Sequence, residues 1–402
     1  MSKVYSKALD KSIEIDRIID VVKGASPGPT VIFTGGIHGN EPSGIFALKE
    51  VMSGLKKEHL PVQGNIYALS GNLWALEKGQ RFHTSDLNRL WTTERILRLE
   101  EGALQSHDED TMQQLDLYQC LMSIMRNESG PFYFIDLHTT SSETIPFLTV
   151  NDTLLNRYFS MQFPVPVIMG IEEFLDGPLL SYINELGYVA VGFEAGQHDD
   201  MSSIENHVSF IYLVLVVAGI IAKDDLPDYH HHHTILAKNS IHARDIFEIC
   251  YRYEVKNNQH FKMNPGHFNF QPVKRGQMLA QNGKEPILAP MRGSIFMPLY
   301  QDQGDDGFFI VRRVPKLLLR LSAILRKINF KRVVTLLPGV KKIGSKEDTL
   351  MVNKKIARFF ARDIFHLLGY RCIQVDPKHL LIKSREHAAR NKEYENVDWY
   401  NH

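Results

Sequence analysis

The sequence predicts an α/β fold: a mixed, mostly parallel sheet flanked by helices, then a smaller β domain and a helical extension. Two observations lead to this prediction. Short β-branched or aromatic runs alternate with helical patterns over much of the chain, which is typical of parallel sheets. Polar residues also gather directly after several of these runs, at the carboxyl edge where α/β proteins bind ligands.

The first predicted elements surround a glycine-rich turn. An apolar, β-branched run over 30–34 predicts a buried strand, and Ile45, Leu48 and Val51 recur after it at helical spacing. The turn between them, residues 35–42, reads GGIHGNEP, and its proline suits the first turn of a helix. We expect the glycines of this turn to let the backbone approach a bound metal ion and substrate closely.

The elements after this turn keep the same alternation. A strand is predicted over 64–70, and the charged, aromatic segment over 73–93 has the length of a functional loop. Further strands are predicted over 132–135, 146–150, 165–169 and 188–193. The apolar run over 208–222 predicts a buried helix, because it falls short of the roughly 20 residues that a membrane span needs.

The sequence predicts three structural units. They are a catalytic domain over 1–238, a small barrel-like β domain over 239–314 that caps the site, and an extension over 315–402 that packs on the body. Turn signals such as Asn282-Gly283 support the β domain.

The extension is predicted to be helical. An amphipathic pattern over 315–332 predicts one helix, and a second pattern covers 352–368. The first helix is expected to pack a leucine face on the body, formed by Leu317, Leu318, Leu321 and Leu325. The charged tail beyond His387 is expected to fray.

The composition bears on partners and compartment. Lysine and arginine number 46, as do aspartate and glutamate, so the formal net charge is zero, which argues against a general binder of nucleic acid. The three cysteines lie far apart, which argues against a disulfide framework and favours a reducing compartment. Without an apolar signal core near the N-terminus, we expect a cytoplasmic protein that binds no membrane, with a homo-oligomer left open.

Histidines and carboxylates follow three of the predicted strands. His38 and Glu41 lie in the first turn, His138 follows a second strand, and Glu194 follows a third. Two histidines and a carboxylate form a catalytic zinc set with one position open for water, and a free carboxylate such as Glu194 then serves as the general base. Asp136 lies on the same side of its strand as His138 and can orient it. Singly, each residue is equally consistent with an ordinary structural role, whereas together they favour a metal site.

The segment over 81–89 adds positive charge to this edge. An arginine fork pairs with a carboxylate and an asparagine amide adds a further bond, so Asn88 and Arg89 suit a substrate carboxylate. Arg81 suits the oxyanion that forms when an amide carbonyl is attacked. A solvated basic loop is the alternative explanation for this segment.

These motifs together resemble the succinylglutamate desuccinylase/aspartoacylase family of the zinc-carboxypeptidase superfamily. The matching segments are GGIHGNEP at 35–42, Arg81 followed by DLNR at 86–89, DLH at 136–138 and GFEAG at 192–196. The similarity extends to NFQPV at 269–273 and MPLYQ at 297–301, which resemble the C-terminal β domain of the family.

The resemblance implies a zinc-carboxypeptidase-like fold and one Zn²⁺ per chain. It implies zinc ligands at His38, Glu41 and His138, a general base at Glu194, carbonyl polarisation by Arg81, carboxylate binding by Asn88 and Arg89, and closure over the substrate by Tyr300. The extension from Pro315 onward departs from the compact members of the family, so the acyl group and the amino acid of the substrate do not carry over.

We therefore expect a zinc-dependent amidohydrolase that removes the acyl group from a small N-acyl amino acid. Two alternatives stay open. The same site would serve a carboxypeptidase or amidase that acts on a peptide or cell-wall fragment, and a metal-stabilised binding protein would have no turnover. A capped cleft would favour small substrates, and an open groove would favour peptides.

Overall fold

The structure is a computed structural model that describes residues 1–104, 108–238, 242–256, 260–327, 339–342, 349–353, 362–374 and 379–400. Its helices are α1 (Ser43–Glu58), α2 (Leu73–Lys78), α3 (Thr93–Glu100), α4 (Glu109–Asn127), α5 (Leu154–Ser160), α6 (Leu179–Glu185), α7 (Met201–Val217), α8 (Tyr229–Lys238), α9 (Lys316–Lys327), α10 (Arg362–Leu367) and α11 (Asn391–Tyr394). Within these ranges, no helix has the length and apolar character needed to cross a bilayer.

Strands occur along the whole described chain. They are β1 (Ser2–Ser6), β2 (Lys11–Ile15), β3 (Ile18–Lys23), β4 (Ser26–Gly35), β5 (Gln63–Ser70), β6 (Phe132–Thr140), β7 (Phe147–Val150), β8 (Val167–Met169), β9 (Val189–Gln197), β10 (Ile246–Glu254), β11 (Phe261–Met263), β12 (Pro272–Val273), β13 (Met278–Asn282), β14 (Glu285–Leu288), β15 (Gly293–Phe296), β16 (Asp306–Arg313), β17 (Val340–Lys342), β18 (Thr349–Asn353), β19 (Tyr370–Gln374) and β20 (His379–Ser384).

Eleven of the described strands form one mixed sheet, in the order β12-β15-β16-β10-β8-β7-β9-β6-β4-β5-β3. Its centre is parallel, because β4 pairs in parallel with β5 and β6, and β6 pairs in parallel with β9. Helices cover both faces, with α1 and α7 on one face and α4 and α6 on the other. This architecture confirms the predicted α/β class.

The central strand β6 shows why the sheet is buried on both sides. All nine of its residues are buried. Tyr133, Ile135 and Leu137 belong to the core on one face, and Phe132 and Phe134 belong to the core on the other. A strand that alternates between two apolar layers in this way is typical of a sheet covered by helices. The polar residues at its end therefore emerge at the carboxyl edge of a rigid sheet.

The C-terminal β region is joined to the main sheet and does not form a separate barrel. Strands β10, β12, β15 and β16 extend the eleven-stranded sheet, while β11, β13 and β14 form a small sheet of their own. The predicted Asn282-Gly283 turn joins β13 to β14, with Gly283 at a φ of +60°. The sequence analysis predicts a domain boundary after residue 238. Because residues 239–241 lie outside the described residues, this boundary stays a prediction.

The extension contains strands where the sequence analysis expected helices. Strands β17, β18, β20 and β19 form an antiparallel sheet in that order. The predicted helix over 352–368 is wrong at its start, because Val352 lies in β18; residues 354–361 lie outside the described chain, and α10 follows. Leu350, Val352 and Ile382 alternate with more exposed residues and form the buried face of this sheet.

Helix α9 does not pack on the body with the predicted leucine face. Leu317 is 76% exposed, and Leu318 and Leu321 are also exposed. The buried side chains are Ser322 and Arg326. Arg326 pairs with Asp152 at 2.8 Å and Glu386 at 3.1 Å, and these buried ion pairs decide which side of the helix faces inward.

The charged tail is docked on the sheet, which corrects the expectation that it frays. Tyr394 of α11 and Trp399 are buried in the same core as β6 and β9. The backbone N–H of Val189 donates to the Tyr394 hydroxyl at 3.1 Å, and that hydroxyl donates to the carbonyl of Phe132. Two large aromatic side chains bury enough apolar surface to hold a short charged segment in place.

Candidate active site

The glycine-rich turn begins where β4 ends at Gly35. Gly36 has a φ of +67°, a conformation that L side chains rarely adopt. A Cβ on Gly39 would lie 2.0 Å from the Ala75 carbonyl carbon, so this turn packs against α2. Gly36 and Gly39 therefore allow the turn to contact α2, and the expected close approach of this turn to a metal ion and substrate stays a prediction. This packing holds His38 and Glu41 at the sheet edge, where both are buried.

Parallel pairing brings the second and third polar positions beside the first. In the β4–β6 pair Thr34 lies opposite Asp136, and in the β6–β9 pair His138 lies opposite Glu194. Side chains from three adjacent strand ends therefore meet at one point of the sheet edge. The ligand atoms of His38, Glu41 and His138 lie within 4.8 Å of one another, and all three residues are buried.

The two histidines have the same orientation toward Glu41. His38 Nδ1 lies 2.9 Å from Glu41 Oε1, and His138 Nδ1 lies 3.0 Å from Glu41 Oε2. The opposite ring nitrogens face other carboxylates, with His38 Nε2 at 3.0 Å from Asp86 and His138 Nε2 at 2.8 Å from Asp136. A carboxylate behind a histidine fixes its ring orientation and raises its basicity as a metal ligand. Asp136 was predicted in this position, and Asp86 was not.

The electrostatics of the cluster favour a bound cation. Burial acts to raise the pKa of both Glu41 and Asp86, yet the adjacent His38 and other cationic neighbours hold each well below its usual value. Burial acts to lower the pKa of His138, but Asp136 and Glu41 raise it well above its usual value. These carboxylates thus attract positive charge to the space between the rings, as protons or as a metal ion. The donor set fits a divalent transition metal.

Glu194 is the uncommitted carboxyl group of the site. Its side chain is buried, and its Oε2 atom has no hydrogen-bond partner among the described residues. Burial raises the pKa of Glu194 to about 8, although the adjacent His138 acts to lower it. An unpartnered buried carboxyl group is costly, and a pKa displaced in this way is typical of proton-transfer groups in active sites.

Arg81 closes the cluster from the loop between α2 and α3. Its guanidinium lies 3.3 Å from Glu41 and 3.2 Å from Asp86, and in the part of the chain that the structure describes its Nε has no hydrogen-bond partner. The loop is tied down by Asp110 of α4, which accepts bonds from three consecutive backbone N–H groups, those of His83, Thr84 and Ser85. Arg81 and Asp86 therefore flank an anchored turn.

Asn88 and Arg89 lie beside the cluster on a helical turn. The backbone N–H of Leu179 donates to Asn88 Oδ1 at 2.9 Å, so the Nδ2 donor of that amide is left for a ligand. Arg89 Nη2 donates to Asp306 of β16 at 2.8 Å. The predicted substrate-binding pair is thus beside the cluster, but Arg89 already has a carboxylate partner.

One cavity joins the candidate site residues to the C-terminal β region. From the site it is lined by His38, Glu41, Arg81, Asp86, Asn88, Arg89, His138 and Glu194. It contains about 130 Å³ accessible to the centre of a water molecule. One water needs roughly 10–15 Å³ on this measure, so the cavity suits a small molecule. The β region contributes Met297, Pro298, Leu299, Gln301, Gly304, Asp305, Asp306 and Phe309.

Tyr300 lies outside this cavity, which corrects its predicted role in closing over the substrate. Its hydroxyl donates to the carbonyl of Asn264 at 2.7 Å and accepts from the N–H of His267 at 3.0 Å. Its neighbours Leu299 and Gln301 line the cavity in its place.

A polar network that the sequence analysis missed joins the turn, β6, β9 and the β region. His198 Nδ1 lies 2.7 Å from the Thr139 hydroxyl, and its Nε2 lies 3.1 Å from Gln301 Oε1. Asn40 Nδ2 donates to the same Gln301 oxygen at 2.9 Å. Gln301 therefore links the C-terminal β region to two of the sheet-edge segments. In the sequence, the pattern GQHD at 196–199, directly after Glu194 and Ala195, could have pointed to His198.

Comparison with known proteins finds similarity to a known family. The family model of the Succinylglutamate desuccinylase/Aspartoacylase catalytic domain matches residues 27–205. Succinylglutamate desuccinylase of Yersinia pestis (strain Pestoides F) is 34% identical over 74 residues, 18% of this chain and 22% of that protein. That of Yersinia enterocolitica is 36% identical over 62 residues, 15% of this chain and 19% of that protein. The chain thus matches about a fifth of the length of these curated relatives.

Solved structures with a similar fold cover more of the chain. The succinylglutamate desuccinylase/aspartoacylase of Rhodobacter sphaeroides has a TM-score of 0.53 at 19% identity, over 73% of this chain and 88% of that one. Succinylglutamate desuccinylase from Vibrio cholerae has a TM-score of 0.54 at 14% identity, over 77% and 95%. The product-bound Ectoine utilization protein EutE (DoeB) from Ruegeria pomeroyi has a TM-score of 0.52 at 19% identity, over 73% and 87%.

The fold is therefore that of the desuccinylase and aspartoacylase structures, with a His-Glu-His cluster at the carboxyl edge of its sheet. Residues 27–205 match the catalytic-domain model of the succinylglutamate desuccinylase/aspartoacylase family, the family that the motifs resemble. The family is part of the zinc-carboxypeptidase superfamily.

Proposed function

We propose that this protein is a zinc-dependent hydrolase that cleaves the amide bond of an N-acyl amino acid or similar small carboxylate. The observation that carries the proposal is the convergence of a His-Glu-His cluster and the unpartnered Glu194 carboxyl group in one small cavity. The desuccinylase names of the matched relatives support an acyl amide as the bond that is cleaved.

His38, Glu41 and His138 would hold the ion. Two imidazoles and a carboxylate are a donor set of catalytic Zn²⁺, and the carboxylates behind both rings suit a cation. When bound there, zinc supplies Lewis-acid polarisation of the scissile carbonyl and activation of a water molecule. Its positive charge also acts to lower the pKa of Glu194 from about 8, which favours the carboxylate that proton abstraction requires.

The other residues of the cavity have separate tasks. Glu194 takes the proton of the attacking water on its free Oε2 atom and returns it to the nitrogen of the leaving amine. Arg81 stabilises the negative charge that develops on the carbonyl oxygen. Asn88 and Arg89 bind the carboxylate of the substrate and fix its position relative to Glu194.

Two observations separate this proposal from its alternatives. The small cavity, which the C-terminal β region helps to line, favours a small acyl amino acid over a peptide or cell-wall fragment. The buried, unpartnered carboxyl group of Glu194 favours an enzyme over a non-catalytic metal-binding protein, because a binding protein has no use for a costly free base beside the metal.

The proposal is tested by hydrolysis of a panel of N-acetyl, N-succinyl and longer acyl amino acids by zinc-reconstituted protein. We expect Glu194→Gln to retain its metal and to lose about 10²–10⁴-fold in kcat, the usual contribution of a general base. Glu143→Gln, the same change at an exposed carboxylate after β6, is the matched control and should leave kcat unchanged. Turnover of no panel member, or full activity in Glu194→Gln, would refute the proposal.

A further inference from the structure

Both arginines that line the cavity already have carboxylate partners. Arg81 lies 3.3 Å from Glu41 and 3.2 Å from Asp86, and Arg89 Nη2 donates to Asp306 Oδ2 at 2.8 Å. The described residues that line the cavity include no other arginine and no lysine. A negatively charged substrate group therefore meets no cationic side chain that is free of a partner.

Asp306 is a fixed counter-ion of Arg89. Its other oxygen accepts from Arg252 Nε at 2.5 Å, and Arg252 Nη1 donates to the carbonyl of Phe174 at 2.8 Å. Asp306 begins β16, and Arg252 lies opposite Phe309 in the paired strand β10. Because Arg252 holds this carboxylate within the paired strands β10 and β16, the carboxylate stays beside Arg89 when a substrate enters.

The hydrogen-bond donors that remain on Arg89 and Asn88 suit one carboxylate group of a substrate. Arg89 Nη1 donates to the Asn88 carbonyl at 3.0 Å, which leaves Nε–H and the second hydrogens of the two terminal nitrogens. Asn88 Nδ2 adds a further donor, since its Oδ1 is occupied by the N–H of Leu179. A second substrate carboxylate would lose its water without gaining a cation, and burial of a charge without a partner is strongly unfavourable.

Apolar side chains also line the cavity. We call this set the apolar wall, formed by Val150, Ile171, Leu175, Pro178, Leu180 and Phe309. These side chains come from β7, the segment between β8 and α6, α6 itself and β16, so they belong to both the central and the C-terminal parts of the large sheet region. An aliphatic or aromatic substrate group gains free energy when it leaves water for such a surface, whereas a carboxylate loses free energy there.

We propose that the Asp306–Arg89 pair and the apolar wall select N-acyl amino acids with a single carboxylate and an apolar side chain or acyl chain, and exclude dicarboxylic substrates. The proposal rests on the proposed hydrolase function and names its substrate class. Asp306 is its specificity-determining residue, and it acts through Arg89.

Selectivity of the unmodified site is measured in two ways. Calorimetry with zinc-loaded Glu194→Gln protein gives the affinity for N-acetylleucine, N-hexanoylglycine, N-acetylaspartate and N-succinylglutamate, and wild-type kinetics gives kcat/KM for the same four. We expect the affinity and the kcat/KM of both monocarboxylates to exceed those of both dicarboxylates by about tenfold or more, the usual effect of one unpaired charged group. Tighter binding or faster hydrolysis of either dicarboxylate would overturn the proposal.

The role of Asp306 is tested by Asp306→Asn, which releases Arg89 from its counter-ion. We expect the ratio of kcat/KM for N-acetylaspartate to that for N-acetylleucine to rise about tenfold. Asp302→Asn, the same change at an exposed position of the loop that precedes β16, is the control and should leave the ratio unchanged. An unchanged ratio in Asp306→Asn would contradict the proposed selection by charge.

A second variant tests the apolar wall without disturbing an ion pair. Leu180 is partly exposed on α6, so Leu180→Ala should fold, and we expect it to reduce kcat/KM for N-acetylleucine several-fold more than for N-acetylaspartate. Equal losses of kcat/KM for the two substrates would contradict the role of the apolar wall in substrate selection. Preferential binding of N-acetylleucine without wild-type turnover would refute the hydrolase function but support the selectivity of the site.

Discussion

At the residue scale, two aspartates have the same relation to two histidines. Asp136 lies 2.8 Å behind His138, and Asp86 lies 3.0 Å behind His38. Sequence analysis found Asp136 because residues two apart on a strand share a face. Asp86 is 48 positions from His38, and only the anchored loop brings it there. Local periodicity therefore predicted one of the two carboxylates.

These two aspartates should strengthen the binding of zinc. We expect Asp86→Asn and Asp136→Asn to weaken zinc binding about 10–100-fold, because the neutral amide no longer raises the basicity of the ligand histidine. Competition with a chromophoric chelator measures this change. Asp224→Asn, at an exposed carboxylate far along the chain, is the control and should bind zinc as the wild type does. Unchanged affinity in both active-site variants would exclude this role.

At the element scale, Asp110 explains why a long irregular segment is ordered. The sequence analysis interpreted 73–93 as a functional loop, but its first six residues form α2, with the Asn72 side chain capping the helix. Asn72 Nδ2 also donates to Asp110, whose oxygens accept from the loop backbone as well. A buried aspartate on one helix thus holds the loop that carries Arg81 and Arg89. No local sequence pattern predicts such a link.

Removal of this anchor should affect both stability and substrate binding. In Asp110→Ala the N–H groups of His83, Thr84 and Ser85 lose their acceptor, at a cost of about 1–3 kcal/mol in the free energy of unfolding. We also expect KM to rise, since Arg89 is held less firmly. Urea denaturation and steady-state kinetics measure the two effects. Glu101→Ala, at an exposed position, should change neither, and wild-type values in Asp110→Ala would rule out the anchor.

At the scale of the whole molecule, a buried ionic network joins the extension to the main sheet region. Asp152, at the end of β7, pairs with Arg157, Arg326 and Arg385. Arg385 also pairs with Glu173 at 2.5 Å. Removal of one partner from such a buried network leaves an uncompensated charge. The folding stability of the extension therefore depends on the sheet, and that of the sheet on the extension.

This network should make stability fall in acid. Burial acts to raise the pKa of Glu173, but His366 and Arg385 lower it to about 2. Its stabilising contribution is present above the unfolded-state pKa of about 4.5 and is lost as the pH falls towards 2. We expect the free energy of unfolding of the wild type to fall by about 1–3 kcal/mol over this range from Glu173 alone. Denaturant titrations at several pH values should give a shallower acid limb for Glu173→Gln, and an identical slope would contradict this assignment.

The sequence could predict the main sheet and most residues of the candidate site, because both depend on local patterns. Alternation of strands and helices predicted the parallel centre, and strand ends located His38, His138 and Glu194. The inward face of α9 could not be predicted, since Arg326 is buried by Asp152 from another part of the chain. Long-range pairing of a polar residue thus outweighed the leucine periodicity of the helix. The same reason applies to Arg89, whose partner Asp306 is 217 residues away.

The central claim is that His38, Glu41 and His138 hold one catalytic zinc ion. Elemental analysis of protein that has been stripped with chelator, reloaded with Zn²⁺ and desalted tests it most directly. We expect one zinc per chain in the wild type and less than a tenth of that, as a rough bound, in His138→Ala. His198→Ala removes a histidine of the same cavity that lies outside the ligand cluster, and it should retain one zinc. A wild type without zinc, or full zinc content in His138→Ala, would contradict the claim.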